Sequence, residues 1–343
     1  MSSTDRLKGV AQHLALAVGW TSDKALPTFD ELPMFNDFPG CAWQVWGTED
    51  QLGTVNLLTD EAVKKAAQEE IRTGKSVCLN WPINFPEKPV FGRKAPEHLT
   101  KTRSPPGITR DDEIHINTQS GTQWDGMRHF GVVKHGVFYN NTPTTSVPFG
   151  KVSFPDPLNI DPSQLKLGIQ NWAQHGICGR GVLLDLVSYF TASGSPLPYD
   201  PWTTHAITVE DLKACAAVQG TTFRQGDILL LRVGFIRKYY ASSQAEKDAL
   251  SGRPETFAGI EQSEDMKRFL WDNHFAAIAS DQPALERWPP PNNVPHMHQT
   301  LLGYVLPLPE HFMNNAQSSG HKAMGNANCL GGCASPPNAA ALF

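Results

Sequence analysis

Nowhere among the 343 residues does an uninterrupted apolar run reach the roughly 18 residues a membrane-spanning helix requires, so no segment is expected to cross a bilayer. An excess of one charge is missing too. Twenty-nine basic residues against 34 acidic ones leave a net charge of −5, with no basic footprint for nucleic acid or an anionic membrane surface. Cysteine is scarce. Cys41, Cys78, Cys178, Cys215, Cys329 and Cys333 are too dispersed for a disulfide scaffold, which favours reduced thiols and a cytoplasmic location. Cys329 and Cys333 have no second Cys or His pair beside them, so packing is a better reading there than a zinc knuckle. There is no G-x-S-x-G elbow, P-loop, dinucleotide fingerprint or internal repeat. Gln12 and His13 interrupt the opening apolar stretch, unlike a signal peptide, and the closing AAALF matches no peroxisomal or prenylation address. These absences point to a small-molecule substrate, without nucleic acid or membrane.

Proline (27) and glycine (28) are plentiful and the apolar runs are short, which suggests strands joined by ordered loops. Residues 1–31 read as a loosely attached lead segment and 32–343 as one domain, since no composition break divides them. A helix is expected after Leu57, with Thr59 as N-cap and Gly74 as its stop, followed by a strand at SVCLNWPI. A loop rich in Pro, Lys and Arg runs from Phe85 to Arg110, either a substrate wall or a solvated excursion. Further on, GRGVLLDLV, GDILLLRVGF and FAAIASD read as buried strands. They alternate with a helix capped by Thr208 and Asp211 and stopped at Gly220, and with a helix around Ser263–Asn273. The alternation predicts an α/β fold.

The densest polar stretch runs from Asp111 to Phe130. Within it Gly121 permits a tight turn, Asp125 offers a hard anionic oxygen, and His129 supplies a base or acid that titrates near neutrality. A second group, His296 and His298, is followed by Glu310 twelve residues after His298. On a strand the two histidines would share a face, although spacing alone equally fits a surface pair.

The run Gln119-Ser120-Gly121-Thr122-Gln123-Trp124-Asp125-Gly126-Met127-Arg128-His129 resembles the His-x-Gly-Thr-His-x-Asp-x-x-x-His signature of the kynurenine-formamidase-like cyclase family. His298 and Glu310 match its late His-to-Glu pair, and the segments WGTEDQLGTVNLLT, GRGVLLDL, GDILLLRVGF, ASDQPALE and SPPNAAALF agree in order. The resemblance runs from about Leu32 to the C-terminus. It implies a swivelling β/β/α domain behind an N-terminal extension, assembled as a homodimer or homotetramer. It also implies one or two divalent metals, Mn²⁺ or Zn²⁺, and a water that attacks an amide or lactone carbonyl. The residue matching His129 would serve as acid or base.

Gln119 and Gln123 stand where the family places two metal-binding histidines. A neutral amide oxygen is a harder and weaker ligand than imidazole. Asp125, His298 and Glu310 remain as ligands for a metal. With no metal, Gln119, Gln123, Asp125 and His129 could form an acid/base site. Three functions therefore stay open: a metal-dependent hydrolase of an amide, lactone or cyclic carbonyl; a metal-independent cyclase, dehydratase or isomerase; and a non-catalytic binder. Arg128 could clamp a carboxylate or make an ordinary salt bridge, and Glu286 could line the pocket. Tyr139 could donate a phenolic hydrogen bond or simply pack. Trp124, with Trp43 and Trp46, could form an aromatic wall or belong to the core.

Overall fold

Three apolar runs build the centre of the protein. In the computed structural model, which describes residues 25–104, 107–152, 156, 159–304 and 310–312, they become β6 (Gly181–Asp185), β8 (Ile228–Arg232) and β10 (Ala277–Ser280). The strands pair in parallel, with Leu229 opposite both Val182 and Ile278. Leu184, Leu229, Leu231 and Ile278 are wholly buried, as expected of a parallel sheet covered on both faces. Two short strands extend the sheet on the β10 side. β11 (Glu310–Phe312) runs parallel to β10, and β3 (Trp124–Asp125) closes the edge antiparallel to β11, giving the order β3-β11-β10-β8-β6.

Local chemistry sets the helices. Thr59 caps Asp60–Glu70 by accepting from the Ala62 N–H at 3.2 Å. Thr208 and Asp211 form a reciprocal capping box on Val209–Gln219, which ends at Gly220 with φ +64°. Ser263 caps Glu264–Asp272. The mixed α/β fold agrees with the sequence reading, and no helix among the described residues is long and apolar enough to cross a membrane.

Several local expectations differ. The first helix ends at Glu70, four residues short of Gly74. Residues 76–83 pair with no strand among the described residues, and Val77 faces solvent. The second half of the 85–110 loop is a hairpin of β1 (Glu97–Ser104) and β2 (Thr109–His115), almost wholly exposed. Its charges pair across the ladder, with Lys101 on Glu113 at 2.6 Å and Arg103 on Asp111 at 2.9 Å. Helix takes over from β6 at Leu186, where Asp185 accepts from the Ser188 N–H. Gln299–Tyr304 forms a π-helical turn.

At the N-terminal side, Leu26 and Phe29 enter the core. The Phe29 N–H donates to Asp272 at 2.7 Å, and Trp271 Nε1 donates to the Pro27 carbonyl at 2.7 Å. Residues 1–24, Cys329, Cys333 and the closing SPPNAAALF lie outside the described residues.

One buried acid sets a pH dependence. Asp281 follows β10 and accepts from the Val233 N–H at 2.6 Å and the Gly234 N–H at 3.1 Å. Burial pushes its carboxyl up to about 6 from an ordinary 3.8, although these N–H groups and Arg232 pull the other way. The folded chain therefore holds a proton more tightly than the unfolded one between these values. Stability is lost as pH rises from about 4 to about 6, by on the order of 3 kcal/mol. Asp281→Asn should flatten that part of the stability–pH curve, whatever its absolute stability. Urea midpoints from pH 4 to 7 check this, and an unchanged slope would refute it.

Candidate active site

The polar motif folds around the sheet edge. β3 carries Asp125 there, and its backbone lies directly across the ladder from Glu310. The Asp125 side chain is buried and held from one side by the two glutamines. Gln119 Nε2 donates to Asp125 Oδ1 at 2.5 Å, and Gln123 Nε2 donates to Gln119 Oε1 at 2.6 Å while lying 3.4 Å from Asp125 Oδ1. Amide donors thus concentrate on Oδ1. Oδ2 faces His129, whose Nε2 is 3.9 Å away. A turn in which the His129 N–H donates to the Gly126 carbonyl sets this i, i+4 spacing.

His298 approaches from the opposite side of the chain. It precedes the π-helical turn, and its Nδ1 is hydrogen-bonded to Glu286 Oε1. Glu286 also accepts from the Met297 N–H at 2.7 Å, the His298 N–H at 3.1 Å and Gln262 Nε2 at 2.6 Å. Burial pulls the Glu286 carboxyl up, but His298 and these other donors outweigh it and keep the group below the ordinary carboxylate value. With Nδ1 occupied, the nitrogen His298 offers to the cluster is Nε2. Asp125, His129 and His298 each present one ligand atom, all within 4.8 Å of one another. Burial lowers the His129 pKa; Asp125 opposes that shift, while His298 and Arg93 add to it. His129 is therefore held as the neutral imidazole at pH 7.

The remaining sequence candidates are placed as follows. Glu286 is fully buried behind His298 and is not among the residues that line the cleft beside the cluster. Arg128 is committed to main-chain carbonyls rather than to a carboxylate, with Nε donating to Lys166 O at 2.7 Å and Nη2 to Gln164 O at 2.8 Å. Tyr139 is wholly buried and its hydroxyl donates to Asp50 at 2.9 Å, so the Tyr139 phenol serves the core. Trp124 is half-buried and packs on the main core. Trp43 donates to the Gly303 carbonyl, and Trp46 packs edge-on against Trp271. His296 and His298 both turn Nδ1 toward Glu286 Oε1, although their segment is not a strand, and only His298 belongs to the three-residue cluster. The His296 ring stacks near Trp288, with Nδ1 3.8 Å from Glu286.

Beside the cluster lies a narrow cleft lined by Gln119, Ser120, Gly121 and Gln123 on one side and by Trp81, Arg93 and Tyr239 among others. The first part of the 85–110 loop lines this cleft, through Pro86, Lys88, Val90 and Arg93. Sequence reasoning missed Trp81 and Arg93. The one available signal for Arg93 was its place in the basic loop upstream of the motif.

No curated protein gives a significant match to the chain. Among solved structures, one described as a novel cyclase is 27% identical, with 80% of this chain and 86% of that one covered and a TM-score of 0.65. An isatin hydrolase bound to the product analogue thioisatinate is 14% identical over 75% of this chain and 87% of that one, with a TM-score of 0.47. Isatin hydrolase A from Labrenzia aggregata is also 14% identical, over 70% and 80%, with a TM-score of 0.44. The family model described as "Putative cyclase" matches residues 77–287, more than half of the chain and all of the polar motif. The chain belongs to this cyclase family.

Proposed function

We propose that the protein is a hydrolase of an amide, a lactone or a related cyclic carbonyl compound, using a water activated between Asp125, His129 and His298. The observation that carries this reading is the convergence of those three groups within 4.8 Å, two of them braced from behind. Gln119 fixes Asp125, and Glu286 fixes His298.

Two carboxylates and one imidazole form a donor set suited to Zn²⁺ or Mn²⁺, and a carboxylate behind a ligating histidine is the usual support for such a set. Asp125 Oδ2 and His298 Nε2 would hold the ion, with Glu310, opposite Asp125 in the ladder, as the further carboxylate. A divalent ion bound there would polarise the carbonyl and lower the pKa of water. Neutral His129 takes the proton from the attacking water at Nε2 and returns it to the departing nitrogen or oxygen. Gln119 and Gln123 orient Asp125, because each places an N–H at Oδ1. The cytoplasmic location and the homodimeric or homotetrameric assembly belong to the same proposal.

Elemental analysis of purified protein prepared without chelator tests this reading, with Asp125→Ala as control. Near-stoichiometric Mn or Zn in the wild type, lost in the variant, is the expected result. No metal even after soaking would overturn it and leave acid/base cyclisation or dehydration.

A further inference from the structure

The hairpin of β1 and β2 contributes no residue to either hydrophobic core. Every residue of its two strands except Ser104 is exposed, and among the described residues its sheet has no third strand. A lone two-stranded ribbon is marginally stable in water unless something covers a face or extends the sheet. This one also presents apolar side chains, with Leu99 48% and Ile114 41% exposed. Its two open edges differ in charge. β2 carries Asp111, Asp112 and Glu113 in a row, so two such edges would repel each other. On β1, Glu97 lies two residues before Leu99 and Lys101 two residues after it. Antiparallel pairing of β1 with itself about a two-fold axis at Leu99 therefore sets Leu99 against Leu99 and Glu97 against Lys101, in both directions. These side chains share one face, since alternate residues of a strand point the same way. Glu97 and Lys101 already have partners, Lys94 at 2.8 Å and Glu113 at 2.6 Å, but both pairs are open to solvent and hold them weakly.

We propose that the β1 edge docks a second copy of this chain, the two hairpins joining into one four-stranded antiparallel sheet across a two-fold axis at Leu99. The charge pattern selects a second copy over an unrelated partner, because the strand is its own complement. Joining adds two Glu97–Lys101 pairs, covers Leu99 with its counterpart and satisfies main-chain groups that a single hairpin leaves open. Lys101 then lies between its own Asp111, directly across the ladder, and Glu97 of the partner subunit. The inference rests on the homodimeric or homotetrameric assembly proposed above and is independent of the hydrolase chemistry.

Sedimentation velocity of the full chain at micromolar concentration tests this. Wild type should sediment as a dimer or tetramer. Leu99→Asp and Leu99→Lys should each fall to half the wild-type mass, because each sets like charges against each other on the axis. Equal amounts of the two variants, once mixed, should regain that mass, because the axis then joins opposite charges. Recovery on mixing also shows that both variants are folded. Val218→Asp, at an exposed position on the helix Val209–Gln219, should leave the mass unchanged, and a loss there as well would overturn the inference. Either Leu99 variant keeping the wild-type mass would overturn it too and leave the assembly to another surface. Loss in both without recovery on mixing would overturn the two-fold contact. A monomeric wild type would sink this inference and the proposed assembly together, while metal content judges the hydrolase reading separately.

Discussion

Replacing His129 with alanine is expected to lower turnover by about 10²–10⁴-fold while the protein stays folded. The ring is a quarter exposed and its ring neighbours are Phe130 and His298, so thermal melting should change little. What it contributes is chemical: Nε2 sits 3.9 Å from Asp125 Oδ2, and the pKa is depressed mainly by burial. A neutral imidazole at pH 7 is ready to accept a proton in a way that an ordinary surface histidine, partly protonated, is not. Metal content separates the two roles this position could play. A variant that keeps its metal but loses kcat identifies His129 as the proton carrier. A variant that loses both identifies it as a ligand. Unchanged turnover would remove His129 from the reaction.

The second large effect concerns Glu286, which is fully buried behind His298. Its carboxylate accepts from His298 Nδ1, two backbone N–H groups and Gln262. Glu286→Gln exchanges one acceptor oxygen for an amide N–H that must face donors already in place. Breaking a buried charged pair in this way typically costs about 3–5 kcal/mol. His298 would also lose the contact that fixes its tautomer, and metal affinity should fall by about 10–100-fold. Urea denaturation and metal titration measure the two losses. A variant as stable as wild type with undiminished metal affinity would show that Glu286 does not brace His298.

How much of this could be read from the sequence depended on how local the signal was. The helices capped at Thr59, Thr208 and Ser263 were legible because each cap acts over three residues. The parallel strands were legible because burial on both faces leaves a continuous apolar run. SVCLNWPI misled for the same reason: an apolar composition does not supply a neighbouring strand. At the site, Asp125 and His129 lie four residues apart and their pairing could be expected, whereas Glu286 meets His298 because β10 and the π-helical turn bring those segments together. Arg128 and Tyr139 looked functional by type, but folding commits them to backbone carbonyls and to Asp50. Arg93 carried no motif. Its position depends on the ring of Phe91 and the carbonyl of Gln119, neither of which composition can place.

Gly121 has a consequence beyond the turn it makes. A Cβ there would stand 2.3 Å from the Phe85 carbonyl oxygen, so the loop that carries Gln119 and Gln123 rests main chain to main chain on the segment that begins the cleft wall. Nothing compressible lies between them. Reshaping the wall near Pro86 to admit a bulkier guest would therefore also press on the amides that steady Asp125. Guest size and reaction rate are mechanically geared together, and altering one without the other calls for a compensating change on the far side of that contact.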